Sequence, residues 1–422
     1  VLLAIAWSGC GSPPEKSESP SDPPTAESPP PIEEIPIEDS RMTEPQIRRF
    51  AESLEEAIAR RNLRAFDEAV DYEAMLARVG EKLDANEEFP ISQMRKDTFL
   101  ETYRRERREE PFSRILGEHL GRAGIFEFLR LQKNGEHPAV LFRLASPSGK
   151  INYHLYTLSR FTDGKIHIVD ILSYDRGEPM TEMLYQKAVN DYRQDPELEE
   201  LSSEIVWRMA EVDAQLRKYF ELAAEEKWSE LLAFYPDLPE AIKRQRPVQL
   251  VRMKATYLEE PEKVEQVAEE IEKRFPDRPG MDLMALEYYW PRGEFDKARA
   301  TLDRIDDRVG GDPWLHFLRG STYLEEKNYR EAEAAFGRFV DAFPESILAN
   351  RSLLLVLIEQ KDFERACELL TEMDRRLDKV IVNNILLETT FEELVESKEF
   401  EAWETERLAR EDANRSDSAP RR

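Results

Sequence analysis

At 422 residues the chain has room for two or three domains, each with its own core. A net charge of -27 argues against a nucleic-acid partner, because phosphate contacts need clustered Lys and Arg. The acidity reads as solubility or as a preference for basic partners. Two cysteines, Cys10 and Cys367, exclude a disulfide framework, and no apolar run approaches the roughly 18 residues of a membrane span.

The first residues, Val1-Leu2-Leu3-Ala4-Ile5-Ala6-Trp7, form a short apolar run ending in Ser8-Gly9-Cys10. With neither Met nor a basic stretch before it, residues 1–10 read as a clipped signal peptide. The run resembles the bacterial lipoprotein cleavage signal, with Trp7 standing where Leu is usual. The resemblance implies that Cys10 becomes the first residue and carries lipid. It also implies a place in the bacterial cell envelope, on a periplasmic or extracellular face. Residues 11–41 hold nine prolines and eight acidic residues without any apolar period, a composition too polar to offset its ordering entropy. A disordered tether is expected there. At about 3.1 Å per residue, roughly 30 such residues would hold a domain several tens of Å from a membrane.

Residues 42–178 predict an α+β domain. Thr43-Glu44-Pro45 signals a helix start, and Ile47, Phe50, Leu54, Ala57 and Ile58 follow at helical spacing. Further helical stretches are expected over about 64–84 and 97–122. Four β-prone runs come next, beginning at Ile125, Ala139, Ile151 and Ile166, with Asn134-Gly135, Pro147-Ser148-Gly149 and Asp163-Gly164 between them. Asn-Gly and Asp-Gly supply the positive φ of tight hairpins, so the four strands make an antiparallel meander. Helices followed by a curved meander resemble the nuclear-transport-factor-like cone fold, shared with ketosteroid isomerase. A cystatin-like or other α+β sheet is the alternative.

In such cones the concave face can line a pocket. Taking Asp163-Gly164 as a two-residue loop sets Thr157 opposite Asp170 and Tyr153 opposite Tyr174. Leu155, Ile166, Ile168 and Leu172 share their face, while His154, Tyr156 and His167 take the other. Asp170 among apolar neighbours is the setting that raises a carboxylate pKa and makes a general base. Without a histidine on its face, a structural hydrogen bond to Thr157 is the plainer reading. His119, His137, His154 and His167 lack the close pairing of a zinc site, and no phosphate loop or nucleophile elbow appears. No metal or other cofactor is expected.

Residues 179–244 read as a helical connector, with a lead-in pair at 201–236 and Trp228 near its turn. From 245 to 380 the sequence repeats. Gly320, Tyr323, Ala332, Phe336 and Phe343-Pro344 resemble the tetratricopeptide consensus, although Arg319 and His316 replace its usual Leu and Trp. Ala298, Ala332 and Ala366 lie 34 residues apart, each three residues after an aromatic: Phe295, Tyr329 and Phe363. Four units follow, at 245–278, 279–312, 313–346 and 347–380, and one more step back reaches Val264. The resemblance implies an all-α superhelix of stacked hairpins, since one hairpin cannot bury its apolar stripe alone. Helices over 381–410, with Phe391, Phe400 and Trp403, would cap it, and 411–422 should fray. Cys367, beside Ala366, reads as a structural thiol.

In that repeat family the first helix of each pair lines a concave groove. Carried over position by position, the groove residues are Leu283, Glu287 and Trp290, then Trp314, Phe317, Ser321 and Leu324, then Arg351, Leu355 and Ile358. Such a lining suits an amphipathic helix or an extended peptide. The plainer reading of any single position, Phe317 or Leu355 above all, is packing against neighbouring repeats. The expected function is therefore a lipid-anchored scaffold that binds a protein rather than an enzyme. An enzyme or small-molecule binder using the cone pocket, and a self-associating structural protein, are the alternatives.

Overall fold

The computed structural model describes residues 42–86, 91–121, 124–146, 150–161, 164–193, 203–275, 281–377 and 379–417. Cys10, the signal run and the tether lie outside them. The chain divides into two compact units, the first closing at Met284 and the second opening at Ala285.

The first unit begins with α1 (Glu44–Ala59), whose Ile47, Ala51, Leu54 and Ile58 form one buried stripe. The expected helical stretch at 64–84 is two helices, α2 (Arg64–Ala69) and α3 (Tyr72–Asp84). They part because Val70 turns extended and bridges Ile168, while Asp71 caps α3 by accepting from Ala74 N at 2.9 Å. The next stretch is likewise two helices, α4 (Gln93–Glu109) and α5 (Phe112–Leu120), parted at Pro111, which has no N–H to continue a helix.

The sheet runs β1 (Ile125–Asn134), β2 (His137–Ala145), β3 (Ile151–Arg160), β4 (Ile166–Ser173) and β5 (Glu178–Pro179), in spatial order and antiparallel throughout. It has five strands rather than the expected four. Gly177, at φ 64°, donates to Ser173 O and folds Glu178–Pro179 back along β4. Helix-side groups reach both β1 and β4. Phe128 N on β1 donates to the Glu55 carboxylate at 3.3 Å, and Asp71 N donates to Ile168 O on β4 at 2.9 Å.

The expected two-residue loop at Asp163-Gly164 is one residue wider, because Phe161 N pairs with Lys165 O. A bulge between Thr157 and Leu158 then restores the register, so that Thr157 does oppose Asp170. Beyond the bulge every side chain changes face. Ile166 and Ile168 join Tyr156 and Leu158 in the core, and His167 pairs with Ser159 on the opposite face, which corrects the expected arrangement.

One sheet face packs against α1, α2 and α5 through an aromatic core. Phe126 stacks on Phe142 at 4.5 Å between centroids, and Tyr156 lies 5.3 Å from Phe142 and 5.4 Å from Phe66. Next come α6 (Met180–Arg193), packed on α3, and then α7 (Ser203–Ala224), α8 (Trp228–Phe234), α9 (Glu240–Lys243), α10 (Arg246–Glu259) and α11 (Val264–Arg274). α12 (Met281–Tyr289) contains the division between the units.

The second unit is helical: α13 (Phe295–Val309), α14 (Leu315–Glu325), α15 (Tyr329–Ala342), α16 (Ile347–Glu359), α17 (Phe363–Arg376), α18 (Lys379–Leu386), α19 (Glu392–Val395) and α20 (Lys398–Asp417). The last helix runs past residue 410, where the capping segment was expected to end. Phe295, Tyr329 and Phe363 each open a helix, 34 residues apart. The turns before them repeat in backbone detail. Gly293, Lys327 and Lys361 all take positive φ (69°, 61° and 59°), each donating to the residue three before it, while the next residue donates five back. Within the first unit Glu226 makes the same turn ahead of Trp228.

Candidate functional site

Each hairpin of the second unit closes on small residues. Ala298, Ala332 and Ala366 are fully buried, which lets paired helices approach closely. At Gly320 the fit is tighter still, since a Cβ there would lie 2.7 Å from the Phe336 ring. Around these positions Trp314 packs on Phe339 at 5.2 Å and on Phe343 at 5.9 Å, and Phe317 on Phe339 at 5.5 Å. Polar ties join one hairpin to the next. Glu333 of α15 accepts from Gln360 at 2.8 Å and pairs with Arg365, and Tyr329 donates to Glu359 at 3.2 Å.

This packing decides the fate of the expected groove. Trp314, Phe317, Leu355 and Ile358 are 2–4% exposed, and the first two pack inside the α14–α15 hairpin. Ser321 is buried and donates to Phe317 O at 2.8 Å. Leu283 is buried in the first unit. Six of the ten expected positions are thus buried. Glu287 is exposed, and Trp290, Leu324 and Arg351 are partly so. Arg351 is held by Glu388, through 3.1 Å bonds from Nε, and lies 5.6 Å from the Phe391 ring centroid. Cys367 is buried, and burial pushes its thiol up to about 11, so it stays protonated and unreactive at neutral pH.

In the sheet, Asp170 and Thr157 pair as expected but serve separate partners. The Asp170 carboxylate accepts from Thr181 Oγ1 at 2.6 Å, from Thr181 N at 3.1 Å and from Ile171 N at 2.9 Å. It thereby satisfies the first turn of α6, whose leading N–H groups have no partner within the helix. Thr157 Oγ1 accepts from Asn134 Nδ2 at 2.9 Å. The Tyr153 and Tyr174 rings meet at 5.7 Å, inclined by 54°, and all four side chains are buried. An open groove beside α4 is lined by Met94, Thr98, Thr102, Arg105 and neighbours from that one helix, which makes it a solvated face.

A further polar cluster lies on the core-facing side of β3, where Asn152, His154 and Tyr156 alternate. Asn152 Nδ2 donates to Ser173 Oγ at 2.9 Å and lies 3.3 Å from His154 Nε2, while His154 Nδ1 lies 3.0 Å from Tyr156 Oη. Burial holds the His154 imidazole down to about 4; Asp175 opposes that shift, and His119 and Arg176 add to it. The sequence carried one signal of this cluster: an asparagine inside a strand, where its β propensity is poor. Among the described residues no group of three His, Cys, Asp or Glu side chains could hold a metal ion. No helix among them is long and apolar enough to cross a membrane.

No family model matches the chain, and no curated protein matches it.

Proposed function

We propose that this protein is a membrane-tethered, exported scaffold whose helical array, of tetratricopeptide type, binds a protein or peptide partner. The observation that carries the reading is the recurrence of helix starts and left-handed turns every 34 residues, each hairpin closing on a buried alanine. Stacked hairpins expose long surfaces for their mass, and such surfaces bind other chains. The reading is also supported by the α+β domain, here taken as a cone-like fold, because aromatic rings fill the space between its sheet and helices. Asp170, engaged by Thr181, weighs against acid–base chemistry at that point. Lipid on Cys10 would place the scaffold in the cell envelope, with residues 11–41 as its leash.

Of the accessible members of the expected groove, Glu287, Trp290 and Leu324 define the test. A crosslinking pull-down from membranes would compare the full chain with a Glu287→Lys, Trp290→Ala, Leu324→Ala variant. Loss of one dominant partner, with unchanged circular dichroism, supports the scaffold. An identical partner set rejects this surface. A Cys10→Ser variant that still takes up labelled fatty acid would sink the anchor.

A further inference from the structure

The orientation of the Asn152 amide is fixed by its partners. Its Oδ1 receives Tyr153 N at 2.8 Å and Asp175 N at 3.0 Å, and a backbone N–H can only donate. Nδ2 is therefore the donor, to Ser173 Oγ and toward His154 Nε2. His154 must then present a bare lone pair at Nε2 and carry its proton on Nδ1, donated to Tyr156 Oη. Asn152 thus does two things at once. It ties the turn after β4 to β3, and it requires a neutral histidine.

The charged and titratable groups facing His154 are Asp175 and Arg176 from that turn and His119 from α5, with Tyr156 on its own strand. Lys150 acts in turn on His119. Of these, Asp175 is the anionic acceptor for a proton-bearing Nε2. At neutral pH its carboxylate receives Ser173 Oγ at 2.6 Å.

We propose that Asn152 and His154 form an acid-released latch: protonation of His154 turns its ring from Asn152 to the Asp175 carboxylate, drawing that carboxylate from Ser173 and loosening the Ser173–Gly177 turn. Two N–H donors facing each other at the Asn152–His154 distance repel, and the amide cannot reverse without surrendering both backbone bonds. Gly177 and β5 follow directly in the chain, so the released turn frees the sheet edge at β5.

The test is a pH titration of the full chain labelled with ¹⁵N-histidine, with the His154 resonances assigned by their loss in His154→Gln. The expected result is the Nδ1–H tautomer at pH 7, and amide exchange at Asp175 and Gly177 that rises faster on acidification than intrinsic chemistry allows. In Asn152→Asp a carboxylate receives the Nε2 proton without disturbing Oδ1, so the His154 midpoint should rise by more than one pH unit while the turn stays closed. In Asp175→Asn the midpoint should fall. An Nε2–H tautomer at pH 7 in the unaltered protein would overturn the latch, and so would an unmoved midpoint in Asn152→Asp. The tautomer itself is read on the unaltered protein, with His154→Gln serving only to assign its resonances.

Discussion

Two glycines on adjacent helices predict opposite responses to one substitution. At Gly320 on α14 an added Cβ would meet Phe336 Cδ1 and Cε1 at 2.7 Å and Cγ at 3.0 Å. Phe336 is 1% exposed and cannot swing away without disturbing Phe317, whose ring lies 6.2 Å off. Overpacking of this kind costs roughly 1–3 kcal/mol, against which alanine recovers about 1 kcal/mol of helix propensity. Gly320→Ala should therefore destabilise the hairpin by up to about 2 kcal/mol. At Gly337 on α15 the same Cβ would meet nothing within 4 Å, so only the propensity term acts. Gly337→Ala should stabilise by about 0.5–1 kcal/mol. Because a two-unit chain need not unfold in one step, the assay is native-state hydrogen exchange read on peptides from α14 and α15. Equal stabilisation by both substitutions would refute the close crossing, and Gly320→Ala combined with Phe336→Leu should recover part of the loss.

The left-handed turns offer a second pair: Lys327→Gly should stabilise by about half a kcal/mol, whereas Gly293→Ala, which forces a Cβ into positive φ, should cost roughly 1 kcal/mol in urea denaturation. Asp170→Ala strands Thr181 N and Oγ1 and should cost about 2–3 kcal/mol, with exchange rising first in α6; loss confined to the sheet would contradict the capping role. For His154 the sign follows from a folded value of about 4 below the ordinary ~6.5: the unfolded chain takes the proton first. Its contribution is whole above pH ~6.5 and falls as pH drops toward 4, by at most about 3 kcal/mol, and a His154→Gln variant should flatten that part of the stability–pH curve. Cys367 should resist alkylation at pH 8 in the folded chain and react once urea is added; rapid native labelling would contradict its burial.

Much of the element order was legible because short-range chemistry decides it. Asn134-Gly135 set the first hairpin, with Gly135 at φ 62°, and Thr43-Glu44-Pro45 marked the start of α1. What escaped depended on contacts distant in sequence. Val70 looks helical in its own neighbourhood and becomes extended because Ile168 offers a pairing edge. The bulge at Thr157 left no local mark, and it carried Ile166, Ile168 and His167 to the faces opposite those expected. The burial of the expected groove positions was hidden in the same manner. Periodicity tells which helix side faces a neighbour, yet it cannot separate a side open to a partner from one that packing covers, and Phe317 and Leu355 prove to be buried. Asn152 shows the complement: a residue disfavoured in strands kept its place through bonds to Ser173 Oγ and Asp175 N that sequence could not bring together.

The aromatic knot of Trp314, Phe317, Phe336, Phe339 and Phe343 has a bearing on how the second unit acquires its order. All five rings come from 30 consecutive residues, so little loop entropy opposes their meeting. Helices of the second unit pack chiefly on their neighbours in sequence, so folding is expected to start where one hairpin is most nearly self-sufficient. The α14–α15 hairpin is that place. Structure should grow outward from it in both directions, and the hairpin should be the last to come apart when the chain is pulled from its ends.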